Sequence, residues 1–219
     1  MTDRRLFLRQ LAASASAVVL VPSISACGAA PQAADSPSAE AMGVPLTPGA
    51  DWDPIAFNRA RGNEGAIPDT YLGSINGPDG EVTHLGKHLP YVPSLDEGAV
   101  PEGMIALMWG DPDKGHARHP NAPRSEANNH EGHWYNWIRV RKATDGEAEE
   151  LQSTYTDWPG DGADASGAYA VFGGGALSDD GGKNTIYLAA LPSDVGPGDV
   201  LRIHAHCLTH GEYVDFITL

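Results

Sequence analysis

The sequence predicts an all-β fold, a β-sandwich preceded by one short N-terminal helix. Its apolar runs are short, and glycine, proline and aspartate separate them. The chain has 26 glycines and 17 prolines among 219 residues, which allows a turn between successive runs. Several short strands joined by turns are typical of two packed sheets. Residues 51–219 have the length of one domain.

The predicted helix follows Asp53 and runs through Arg61. Aspartate is a preferred N-cap, and Pro54 fits the first helical position. Apolar runs then predict six strands, namely Met104–Trp109, Trp134–Arg141, Ala168–Phe172, Thr185–Leu191, Val200–Cys207 and Tyr213–Thr218.

The strand predicted at Val200–Cys207 has two different faces, because alternate side chains point to opposite sides of a sheet. The apolar face comprises Leu201, Ile203, Ala205 and Cys207. The polar face comprises Val200, Arg202, His204 and His206. We expect the polar face to lie at the surface. Surface positions are also expected for His84, His116 and His130.

The first 26 residues have the order of an export signal. The segment Asp3-Arg4-Arg5-Leu6-Phe7-Leu8-Arg9 resembles the twin-arginine motif. The weakly apolar stretch from Leu11 to Ile24 is too short for a stable membrane span, which needs roughly 20 apolar residues. Ile24-Ser25-Ala26-Cys27 resembles a lipobox, in which the cysteine becomes lipidated.

These signals predict three segments: a signal peptide at 1–26, a lipidated flexible tether at 27–50 and the folded domain at 51–219. The tether is rich in alanine, proline and serine. We expect the protein to be exported to the periplasm or extracytoplasmic face. Its only attachment to the membrane would be the lipid on Cys27.

The charge restricts the partners. The chain carries −15, and its first 26 residues carry three arginines and one aspartate, so the remainder carries −17. Such a surface repels nucleic acid and anionic lipid. We therefore expect no nucleic-acid partner, and the charge favours a basic protein partner.

Cys207 is the only cysteine besides Cys27. With Cys27 assigned to lipidation, Cys207 has no partner for an internal disulfide. It is then a buried inert thiol, an intermolecular link, a nucleophile or a metal ligand. His210 follows three residues later and the chain has nine histidines, which favours the metal ligand.

Four histidine segments follow one another along the chain. They are Lys87-His88-Leu89-Pro90, His119-Pro120, His133 placed four residues before Trp137-Ile138, and Cys207-Leu208-Thr209-His210-Gly211 with Tyr213 after it. This ordered set resembles the iron domain of superoxide reductases, the family of neelaredoxin and the C-terminal part of desulfoferrodoxin. The resemblance extends over roughly Glu81 to Leu219.

The resemblance implies an immunoglobulin-like β-sandwich that holds one iron. Its implied ligands are four equatorial histidines and one axial thiolate: His88, His119, His133, His210 and Cys207. Lys87 would be the cation beside the open sixth position. The implied activity is reduction of superoxide to hydrogen peroxide, and an unidentified electron donor would return the iron to the ferrous state.

Several features depart from the family, among them Gly132, which stands where an acidic residue is common before the histidine. Gly86 stands where the family usually has glutamate, and the segment 121–132 is longer. The acidic net charge also opposes capture of an anion, although Lys87, Arg118 and Arg124 are candidates for a local positive field. An alternative therefore stays open: a non-catalytic module of the same fold that transfers electrons, senses redox state or binds sulfur compounds.

The leader yields a direct prediction. Replacing both Arg4 and Arg5 by lysine should leave the protein in the cytoplasm, because the export pathway recognises the arginine pair. Cys27→Ala should release the protein from membranes or block its processing. Cell fractionation measures both, and an unchanged distribution in both variants would show that residues 1–27 are not an export signal.

Overall fold

In the described part of the chain, eight strands form two antiparallel sheets of four strands each. The structure is a computed structural model that describes residues 43–126, 130, 132–156, 169–171 (backbone only) and 181–219. The strands are β1 (Pro90–Tyr91), β2 (Met104–Trp109), β3 (Tyr135–Lys142), β4 (Glu150–Thr154), β5 (Tyr169–Val171), β6 (Thr185–Ala190), β7 (Val200–Cys207) and β8 (Gly211–Thr218). The sheet orders are β1-β2-β6-β5 and β4-β3-β7-β8.

The main core lies between the two sheets. Leu107, Trp109 and Tyr187 enter it from the first sheet, and Ile138 and Val140 enter it from the second. The predicted apolar face of β7 is confirmed, since Leu201, Ile203, Ala205 and Cys207 are all buried in this core. The all-β prediction is thus confirmed as two antiparallel sheets with a few short helices. The immunoglobulin-like classification stays a prediction.

The predicted helix is confirmed as α1 (Pro54–Arg61). The Asp53 carboxylate accepts hydrogen bonds from the backbone N–H groups of Ile55 (2.9 Å) and Ala56 (3.0 Å), which satisfies two donors of the first turn.

The prediction of a single helix was wrong, because a second helix and several helical turns follow. These are α2 (Leu72–Asn76) and the turns Gly62–Ala66, Asp69–Tyr71, Glu81–Leu85, Gly86–His88 and Pro112–Lys114. Such short pieces show no helical periodicity in the sequence. Among the described residues, no helix has the length and apolar character needed to cross a membrane.

Helix α1 is joined to the edge strand β8 by Asn58, whose side chain is fully buried. Its amide nitrogen donates to the carbonyls of Pro54 and Val214, both at 2.7 Å, and its oxygen accepts from the N–H of Val214 at 2.8 Å. Val214 lies at the sheet edge, where both backbone groups face away from the neighbouring strand. Asn58 therefore completes the hydrogen bonding of the edge.

The expectation of surface positions for the polar face of β7 was wrong for His204 and Arg202, which are 0% and 1% exposed. Glu212 accepts a hydrogen bond from His204 at 3.0 Å and pairs with Arg61 of α1 at 3.1 Å. Arg202 pairs with Glu150 of β4. The chain N-terminal to the strands covers part of this face, since Arg202 also donates to the carbonyl of Pro45 at 3.2 Å. His206 is only half-buried.

The three other histidines that were expected at the surface differ in their exposure. His84 is buried, so that expectation was wrong. His116 is half-buried, and only His130 is exposed, as predicted.

Strand boundaries agree with prediction to within a few residues, and two strands were missed. β4 has one large apolar residue, Leu151, and β1 has two residues, so neither shows an apolar run. The packed chain begins N-terminal to Asp51, since Val44 is buried against Val214. Arg4, Arg5 and Cys27 lie outside the described residues, so the segment boundaries and the lipid anchor stay predictions.

Asn58→Ala should lower the free energy of unfolding by about 2 to 4 kcal/mol. It leaves the N–H and the carbonyl of Val214 without partners in a buried place, and each such group costs about 1–3 kcal/mol. The matched control is Asn63→Ala, which removes the exposed hydrogen bonds to Asn76 and should change stability by less than about 0.5 kcal/mol. Urea unfolding measures both, and equal losses in the two variants would contradict the anchoring role of Asn58.

Candidate metal centre

Four histidines and one cysteine come together at one end of the sandwich. They are His88, His119, His133, Cys207 and His210, and one ligand atom of each lies within 4.8 Å of all the others. His88 ends the last helical turn before β1, and His119 follows β2. His133 precedes β3, and Cys207 and His210 flank the turn from β7 to β8.

Backbone hydrogen bonds place these ligand segments. The N–H of His119 donates to Trp109 at the end of β2 (3.0 Å), and His133 forms an isolated bridge with Ala122. The N–H of His210 donates to the carbonyl of Cys207 (3.2 Å), which closes the turn. Gly211 follows with φ +84°, a conformation that glycine adopts without strain. The segments are thus held by the sheets and not by the imidazoles alone.

The four imidazoles form a square. Ring centroids of successive members lie 4.8 Å (His88–His119), 4.5 Å (His119–His133), 4.6 Å (His133–His210) and 4.8 Å (His210–His88) apart. The diagonal from His119 to His210 is longer, at 6.5 Å. Nδ1 of His210 lies 3.0 Å from Nε2 of His88 and 3.1 Å from Nε2 of His133. The nitrogens therefore converge on the centre of the square.

The sulfur of Cys207 lies 3.6 Å from Nε2 of His119 and 3.8 Å from Nδ1 of His210. These two nitrogens belong to opposite corners of the square. Nearly equal distances to opposite corners favour a position above or below the square rather than at one of its edges. The sulfur is therefore placed as a fifth donor outside the set of imidazoles.

Burial keeps the imidazoles neutral. Desolvation holds the pKa of His88 and His119 well below the ordinary value and lowers the pKa of His133 to about 4. Each ring therefore has a free lone pair at neutral pH. Burial also raises the pKa of the Cys207 thiol to about 12 in the metal-free protein. A bound cation would displace that proton, since thiolate is the ligand form.

Lys87 is half-buried beside this cluster. Burial lowers the pKa of its ammonium group, and a thiolate charge on Cys207 would oppose this shift. Burial lowers the pKa of His210, and the positive charge of Lys87 contributes to lowering it further. Lys87 is therefore electrostatically coupled to the cluster, although it has no lone pair to offer while charged.

The five donors fit one mononuclear transition-metal ion. Lone pairs on nitrogens 3.0 Å apart repel each other unless a proton or a cation lies between them. Imidazole and thiolate are donors that transition metals accept. Five converging donors exceed the four that a structural zinc site uses. The structure thus brings together all five residues singled out in the sequence, and their binding of a metal stays a prediction.

Some residues next to the cluster were missed as site residues, among them His84 and Tyr213. His84 lies 5.0 Å from both His88 and His210 by ring centroids. The ring of Tyr213 stacks on His88 at 4.2 Å. Two signals were available: the spacing of four between His84 and His88, which one helical turn separates, and the aromatic position of Tyr213 after the Cys207–His210 segment.

Gly86 is required by packing. A Cβ atom there would lie 2.5 Å from Cδ2 of His116 and 2.6 Å from the carbonyl oxygen of Glu81. A side chain at this position would therefore point at His116 and at backbone, and His116 would have to move.

The purified protein should bind one transition-metal ion per chain. His119→Ala removes a buried donor and should weaken binding by more than about 100-fold, beyond the 10–100-fold typical of outer partners of a metal site. The control is His130→Ala, because His130 is exposed and outside the cluster. Elemental analysis and chelator competition measure both, and equal affinity in the two variants would refute this donor set.

Comparison with known proteins finds a similarity to a solved structure. No protein-family model matches the chain, and no curated protein matches its sequence. The structure resembles that of a variant of superoxide reductase (neelaredoxin) from Archaeoglobus fulgidus in the reduced form. The two share 16% sequence identity over 61% of this chain and 89% of that chain, with a TM-score of 0.31. Similarity at this level leaves the function to be argued from the site.

Proposed function

We propose that this chain is a one-iron superoxide reductase-like protein, an oxidoreductase that converts superoxide to hydrogen peroxide. The observation that carries the proposal is the cluster itself: four neutral imidazoles in a square, one cysteine sulfur outside it and one half-buried lysine. Neutral imidazoles and a single thiolate bind a divalent ion but neutralise only one of its two positive charges. The motif resemblance described above agrees with this proposal.

The residues have distinct roles in the proposed reaction. His88, His119, His133, His210 and Cys207 would hold the iron, which supplies one electron to each superoxide. Superoxide, one electron and two protons give hydrogen peroxide. The ammonium group of Lys87 would attract the anion, and its desolvation makes that attraction stronger than at the surface. An electron donor is then needed for the next turnover, and the net charge favours a basic protein.

Three finer features belong to the same proposal. The two antiparallel sheets support an immunoglobulin-like sandwich. Export and a lipid on Cys27 would place the protein at the periplasmic or extracytoplasmic face. The twin-arginine route carries folded proteins, which suits a domain that acquires its iron before export.

Gly86 is the observation that favours the non-catalytic alternative. The family's glutamate is absent there, and packing against His116 prevents a side chain from taking its place without rearrangement. An electron carrier or redox sensor needs the same donors but no cation that binds a substrate. The effect of Lys87 on the rate of reaction with superoxide therefore distinguishes the two functions.

Lys87→Ala should slow the second-order reaction of the ferrous protein with superoxide by about 10-fold or more, the lower end of electrostatic steering effects. Pulse radiolysis measures this rate. Lys114→Ala is the matched control, because Lys114 is exposed on the turn Pro112–Lys114 and should leave the rate unchanged.

The iron must stay in place for this comparison. Lys87→Ala should keep the thiolate-to-iron charge-transfer absorption of the oxidised protein, whereas Cys207→Ser should abolish it. An unchanged rate in Lys87→Ala would remove this residue from the mechanism. No reaction with superoxide in the iron-loaded parent protein would reject the reductase and leave the non-catalytic alternative.

A further inference from the structure

We infer that His84 and Tyr213 are positioning residues that jointly hold two of the five donors, His88 and His210, in their ligating orientation. The inference rests on the proposed metal centre but not on its reaction with superoxide. Neither residue belongs to the donor set. Both are buried and come from different parts of the chain, the helical turn Glu81–Leu85 and strand β8.

His88 is held by His84 and Tyr213 from two directions. Its Nδ1–H donates to the backbone carbonyl of His84 at 2.5 Å. In the neutral ring this bond leaves the lone pair on Nε2, the nitrogen that faces His210. The phenol ring of Tyr213 lies flat on the imidazole, with centroids 4.2 Å apart and an interplanar angle of 6°. The hydrogen bond fixes the tautomer, and the stack fixes the plane of the ring.

His210 is held through its backbone. The hydroxyl of Tyr213 donates to the carbonyl of His210 at 3.1 Å. This carbonyl belongs to the turn between β7 and β8, which carries both Cys207 and His210. Fixing that peptide restricts the direction in which the side chain of His210 leaves the backbone.

A hydrogen bond couples the two supports. Nε2 of His84 lies 3.1 Å from the hydroxyl of Tyr213. Since the hydroxyl proton goes to the carbonyl of His210, His84 is the donor and the phenol oxygen is the acceptor. A chain of bonds therefore runs from His84 through Tyr213 to His210, while the carbonyl of His84 holds His88. Outer partners of this kind orient ligands and tune the metal.

The test uses Co²⁺ as a spectroscopic probe, because its d–d absorption reports the coordination geometry independently of any reaction. Tyr213→Phe keeps the stack on His88 and removes only the hydroxyl. It should weaken Co²⁺ binding by about 10–100-fold and shift the d–d bands. His84→Leu should have a similar effect. The double variant should lose no more than the stronger single variant, because both act through one chain of bonds. His84→Gln, which retains a donor, should recover part of the affinity.

The matched control is Tyr155→Phe. Tyr155 is also buried, and its hydroxyl also donates to a backbone carbonyl, that of Leu188 at 3.1 Å. Both tyrosine variants should lower the urea midpoint to a similar extent, but only Tyr213→Phe should change the Co²⁺ affinity and spectrum.

Three outcomes would overturn the inference. One is unchanged binding and an unchanged spectrum in Tyr213→Phe, and another is additive losses in the double variant. The third is a parent protein that binds no Co²⁺, which would overturn the metal centre as well. Inactivity towards superoxide with normal Co²⁺ results would reject the proposed reaction alone.

Discussion

Three buried imidazoles, a fourth that is half-buried and one buried thiol meet in a single cluster, and this is the constraint on which the rest of the structure depends. These groups lose most of their hydration, and the imidazoles stay neutral because desolvation penalises their charged form. Lone pairs that converge at 3.0–3.1 Å have no favourable partner among themselves beyond one shared proton. A bound cation would give these lone pairs a common partner and would displace the thiol proton of Cys207, and the resulting thiolate would balance part of its charge. The arrangement is therefore costly to maintain without a metal and well suited to one.

Strand β8 connects this cluster with the rest of the fold. Its successive residues Tyr213 and Val214 point to opposite faces. Tyr213 contacts His88 and His210 at the cluster, and the backbone of Val214 holds α1 through Asn58 at the sheet edge. Glu212, one residue earlier, joins Arg61 and His204. The helical chain N-terminal to the strands is thus fixed to the same strand that orients the ligands, so its docking and the geometry of the site are physically linked.

The electrostatic field at the cluster differs from the field expected from the net charge of the chain. The chain is strongly acidic, yet Lys87 stands half-buried beside the cluster, where its field is less screened than that of surface carboxylates. Arg139 of β3 and Arg202 of β7 do not serve the site directly, because they pair with Glu150 on the outer face. The charge of Lys87 contributes to lowering the pKa of all four imidazoles, so this cation is electrostatically coupled to the cluster.

The sequence by itself determined the helix start and the inner face of β7, and its resemblance to a known family implied the five residues that the structure brings together. These depend on residue identity, order and local spacing: the Cys207–His210 segment, the Asp53 cap and the alternation from Leu201 to Cys207. Tertiary structure alone decided the burial of His204, the support given by His84 and Tyr213, and the packing that requires glycine at position 86. The physical reason is that alternation tells which residues share a face of a strand but not whether another element covers that face. Such cover comes from residues far apart in sequence, as when α1 and the helical turns pack against β8.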